Sequence, residues 1–139
     1  MPTDDMRRIE LLTVAYAHRG GALLDALAAA CAIVTHADAG ETASERRGVR
    51  ALQLSDPLMA ALPADELSSR LADHAAAWRA DPAAAQAAAL RALVPMRAHP
   101  AQARLVLEAC ARLPRVDGRV EACEEAAVRA VRDALGLAP

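Results

Sequence analysis

Three features of the 139-residue chain predict an all-α fold. Alanine, the strongest helix former, occupies 38 positions. Aromatic residues, on which sheets draw heavily, make up 1% of the chain, with Trp78 and Tyr16 the only two. The apolar runs are cut by proline, glycine and capping residues at helix-length intervals, and no segment reads as a strand. The length suits one compact domain over residues 1–139. A chain of this size buries about 68% of its unfolded surface, enough for a core of its own.

The elements follow in order. Asp4 or Asp5 caps a first helix through Glu10-Leu11-Leu12 to Ala17, and Gly20-Gly21 ends it. A second helix runs from about Ala22 to Ala37, with Leu23, Leu24, Leu27, Cys31 and Val34 on one stripe. After the break at Asp38-Ala39-Gly40, Thr42-Ala43-Ser44-Glu45 fits a capping box, and the third helix turns Val49 and Leu52 inward. Ser55-Asp56-Pro57 starts a short fourth helix with proline at its first position. Pro63 precedes a fifth, roughly Ala64 to Ala80. Asp81-Pro82 opens a sixth, ending near Pro95. His99-Pro100 opens a seventh, which Pro114 closes. A loop at Val116-Asp117-Gly118 leads to a last helix from about Ala122 to Leu135, capped by Gly136. The total is seven or eight helices.

Charge and hydropathy narrow the function. A formal net charge of −2 excludes a broad basic field for nucleic acid. The longest strongly apolar stretch, Ala26 to Val34, is far short of the roughly 20 residues of a membrane span. Asp4-Asp5 before Arg7-Arg8 reads against an export leader. Cys31, Cys110 and Cys123 are an odd number without CxxC spacing, so a reducing, cytoplasmic setting is expected. His18, His36, His74 and His99 are scattered, and none belongs to a Glu-x-x-His pair. His36 reads as a loop histidine on the surface. Trp78 reads as filler for the gap that small side chains leave between helices. No phosphate loop or nucleophilic triad is present in the sequence pattern, and a non-enzymatic protein with no organic cofactor is expected.

The chain also repeats itself. At an offset of 79 residues, nine of the 22 positions from Ala30 to Ala51 are identical without a gap. Cys31 falls on Cys110, Asp38 on Asp117, Glu45 on Glu124, and Val49-Arg50-Ala51 on Val128-Arg129-Ala130. Each half reads helix, acidic loop, helix, which predicts two related hairpins about a pseudo-twofold axis. Six carboxylates then belong to the paired loops: Asp38, Glu41 and Glu45 in the first, Asp117, Glu121 and Glu124 in the second. Crowded carboxylates repel, and a bound cation relieves the repulsion. All-oxygen ligation suits Ca²⁺, Mg²⁺ or Mn²⁺. A structural reading stands beside this one. Glu45 completes a capping box, Glu124 gains from a helix N-terminus, and Asp117-Gly118 is an ordinary turn pair.

The stretch from Leu113 to Leu137, with Val116-Asp117-Gly118-Arg119-Val120 and Leu135-Gly136-Leu137, resembles the C-terminal signature of the TerB-like, tellurite-resistance family. The segment from His36 to Arg50 resembles that family's earlier copy of the motif. The resemblance implies an all-helical, internally duplicated bacterial domain of cytoplasmic stress response, associated with tellurite resistance. It implies ligand roles for Asp38, Glu45, Asp117 and Glu124. Two departures are visible: Asp38-Ala39-Gly40 displaces the first glycine by one residue, and Glu121 takes a capping position better suited to Ser, Thr or Asp. The alternative is therefore a helical interaction module of the same fold with a degenerate metal site, binding a protein partner or a second copy of itself. The alanine-rich segments Ala83-Ala84-Ala85 and Ala87-Ala88-Ala89 suit such contact or internal packing.

Overall fold

The computed structural model describes residues 21–36, 64–116 and 122–138, with the backbone alone for 64, 112–116 and 122–124. Within them are α1 (Ala22–Thr35), α2 (Ala64–Ala80), α3 (Pro82–Leu93), a 3-10 helix (Val94–Ala98), α4 (Pro100–Val116) and α5 (Ala122–Ala134). No strand occurs among the described residues. These are five of the seven or eight predicted helices. The predicted first, third and fourth lie outside the described residues.

Helix α1 is the centre. Leu23, Leu24 and every residue from Ala26 to Val34 are buried. The expected stripe is thus part of an all-round burial, because Asp25 is the only charge in the helix. Helices α2, α3, α4 and α5 all pack against it. Its alanines let those neighbours approach closely, while Leu23, Leu24, Leu27 and Ile33 fill the remaining volume. Burying each of these larger side chains is worth about 1.5–3 kcal/mol.

Two contacts show the direction of α2. Near the start of α1, the Arg70 guanidinium pairs with Asp25 and also reaches Glu66 at 3.8 Å. Just past the end of α1, His36 stacks on Trp78. Both helices therefore run broadly the same way.

One residue joins α2 to α3. The Asp81 amide donates to the Ala77 carbonyl at 2.9 Å, ending α2. Asp81 itself is extended (φ −158°, ψ 95°), and its side chain accepts the Ala84 amide at 3.2 Å. This is the expected aspartate cap followed by proline. Helix α3 ends at Leu93, close to the expected stop, and tightens into the 3-10 turn around Pro95.

Helix α4 corrects one expectation. It continues through Pro114 to Val116. Proline deletes its own amide bond to the preceding turn, but residues after it can still donate to earlier carbonyls. The proline ring also crowds the carbonyl four residues back, at Cys110, a cost confined here to the end of the helix.

Helix α5 ends as expected, at Gly136. This residue has φ 72°, in the left-handed region. Its amide donates to Asp133 at 3.0 Å and the Leu137 amide to Arg132 at 3.1 Å, a complete Schellman motif. Arg97, from the 3-10 turn, donates to the Ala134 carbonyl at 2.8 Å, fastening α5 to the rest of the bundle. A cation at a helix C-terminus also opposes the helix dipole.

Candidate functional site

The acidic segments are framed by described helices. Asp38 follows α1 by three residues, and Asp117 directly follows the last residue of α4. Glu121 directly precedes α5, and Glu124 lies in its first turn. Asp38, Glu41, Glu45, Asp117 and Glu121 lie outside the described residues, and only the backbone of Glu124 is described. The framing has an electrostatic consequence. Carbonyl groups left unpaired at a helix C-terminus carry partial negative charge and attract cations. Asp38 and Asp117 both follow such termini in the sequence.

The end of α1 is anchored through two side chains and a backbone bond. The Thr35 hydroxyl donates to the Ala32 carbonyl at 3.2 Å, and the His36 amide donates to the same carbonyl at 3.0 Å. The His36 ring lies 4.8 Å from that of Trp78, with an interplanar angle of 11°. His74, one turn back on α2, tilts toward the same indole at 6.2 Å. His36 is therefore half-buried and stacked, in place of the expected surface loop histidine. Trp78 is half-buried against the core, with one face given to a histidine. No sequence signal pairs His36 with Trp78, because 42 residues separate them and periodicity acts only within an element. Burial holds the His74 imidazolium below its usual pKa range, with His36 adding to the effect and Asp73 and Asp25 opposing it.

The two described cysteines are packing groups. Cys31 on α1 and Cys110 on α4 are both free and buried. Burial pushes the Cys31 thiol up to about 12. It raises Cys110 well above the usual range too, with the nearby Cys31 contributing. The Cys110 thiol donates to the Leu107 carbonyl at 3.3 Å. Neither is a thiolate at neutral pH, so neither is a ready ligand or nucleophile. Among the described residues, no group of three or more His, Cys, Asp or Glu side chains is placed to hold a metal ion. None of the described helices is long and apolar enough to cross a membrane.

The family model described as tellurite resistance protein TerB matches residues 24–139. The chain belongs to the TerB family. The TerB match begins at the third residue of α1 and covers the rest of that helix, the four other described helices and both acidic segments. No curated protein and no solved structure matches this TerB chain.

Proposed function

We propose that this TerB-family chain binds a divalent cation, Ca²⁺, Mn²⁺ or Mg²⁺, at its two acidic segments and acts without catalysis in a cytoplasmic stress response associated with tellurite resistance. The observation that carries the reading is the family match, which takes in Asp38, Glu41, Glu45, Asp117, Glu121 and Glu124. The duplication supports it. Helices α1 and α4, which lead into the acidic segments, pack against each other, and both bury the cysteine that the 79-residue offset aligns. The helix termini support it as well, since negative charge beyond a C-terminus calls for compensation. Because the described helices offer no metal cluster of their own, ligands would come from the acidic segments. Carboxylates have no affinity for the tellurite anion, so a part in tellurite resistance would be indirect.

Trp78 supplies a test. It is the only tryptophan, and it stacks on His36, two residues before Asp38. Titration of chelator-treated protein with each ion should change Trp78 emission in a saturable way, and Asp38→Ala with Glu45→Ala should abolish the change. Flat emission with all three ions would count against a site at the first segment.

A second reading is an interaction module whose metal site is degenerate. The exposed small-residue face of α3 favours it.

A further inference from the structure

The outer face of α3 is exposed and packs against none of the other described helices, with charges at both ends. Ala85, Ala89 and Leu93 are buried, whereas Ala84, Ala88 and Arg91 are exposed, as is Asp81 at the N-cap. Just past the helix, Val94 is 46% exposed, the one large hydrophobic side chain so placed among the described residues. At 100° per residue, Asp81, Ala84, Ala88 and Arg91 fall within an arc of about 80°.

Their spacing is self-complementary. Ala84 and Ala88 lie two residues either side of position 86, and Asp81 and Arg91 lie five either side. Two copies of α3 laid antiparallel about a twofold axis at that level bring Ala84 onto Ala88 of the second copy. The same operation brings Asp81 to Arg91 of the second copy, and each pairing occurs twice. A parallel arrangement would oppose like charges instead. Alanine on both sides lets the backbones approach closely, which places the long arginine side chain within reach of the aspartate.

We propose that this chain self-associates through the outer face of α3, as an antiparallel dimer with one patch used twice. The occupant is a second copy because the charges on this face complement the same face turned end for end. One helix face falls well short of the roughly 800 Å² per partner usual in stable complexes, so the dimer is weak and concentration-dependent. It is independent of any cation at the acidic segments.

Sedimentation equilibrium of the full chain, from micromolar to millimolar concentration, tests the proposal with and without chelator. The expected result is a monomer–dimer equilibrium that weakens about tenfold in Arg91→Glu, where each cross pair becomes repulsive. Ala88→Glu should weaken it at least as much, and Arg91→Lys should leave it nearly unchanged. Circular dichroism of each variant separates lost association from lost folding. A chain that stays monomeric throughout the series overturns the proposal and leaves the face to another protein. A dimer indifferent to both Arg91→Glu and Ala88→Glu overturns it equally.

Discussion

Cys31 is surrounded by protein on every side, and its chemistry follows from that. With its thiol pushed up to about 12 by burial, it stays protonated at neutral pH. In a Cys123→Ser background, Cys31 and Cys110 should react with a disulfide reagent only as fast as the protein unfolds. The rate should level off at the unfolding rate once the reagent reacts faster than the chain recloses. Rapid, concentration-dependent labelling of native protein would contradict the burial. His74 makes a second prediction at this scale. Its folded pKa is depressed by burial, so the unfolded chain takes up the proton first as pH falls. The neutral form carries no penalty above the unfolded value near 6.5, and stability is lost as pH falls through that value toward the folded one. The drop in Tm between pH 7.5 and 5.5 should therefore be smaller in His74→Gln than in the parent, and an equal drop would contradict it.

The elements show what the sequence made legible and what it hid. The Asp81-Pro82 start, the Ala64–Ala80 span and the Gly136 stop were all readable, because caps and breakers act within a few residues. The all-round burial of α1 was only half readable. A run rich in alanine satisfies a stripe and a full cylinder alike, and the number of neighbouring helices decides between them. The passage of α4 through Pro114 was not readable, because proline usually ends a helix and the sequence does not show that two more residues keep helical backbone. The fastening of α5 by Arg97 joins positions 37 residues apart, beyond any local pattern. This junction carries its own prediction. A Cβ at Gly136 would sit 3.1 Å from the Arg97 side chain, on a backbone at φ 72°. Gly136→Ala should cost about 1–2 kcal/mol by denaturant titration, from the left-handed backbone and the crowding together. A neutral or stabilising substitution would show that the Schellman turn does not hold the end of α5.

At the scale of the whole molecule, one buried helix organises the rest. Helix α1 touches α2, α3, α4 and α5, and its C-terminus leads to the first acidic segment as that of α4 leads to the second. The fold class and family were legible because they rest on composition and on short motifs near Asp117-Gly118 and Leu135-Gly136-Leu137. The candidate site was legible only as residue types: of its six carboxylates, Asp38, Glu41, Glu45, Asp117 and Glu121 lie outside the described residues, and the Glu124 side chain with them. How carboxylates from two distant segments are arranged depends on tertiary packing, which spacing does not encode. Cation binding at these segments is tested by calorimetric titration of chelator-treated protein with Ca²⁺, Mn²⁺, Mg²⁺ and Zn²⁺, with Asp117→Ala, Glu124→Ala as the control. The expected result is saturable binding of a hard ion, in preference to Zn²⁺, that the double variant loses. No heat and no thermal shift with any of the four ions would contradict it and leave the acids as helix caps.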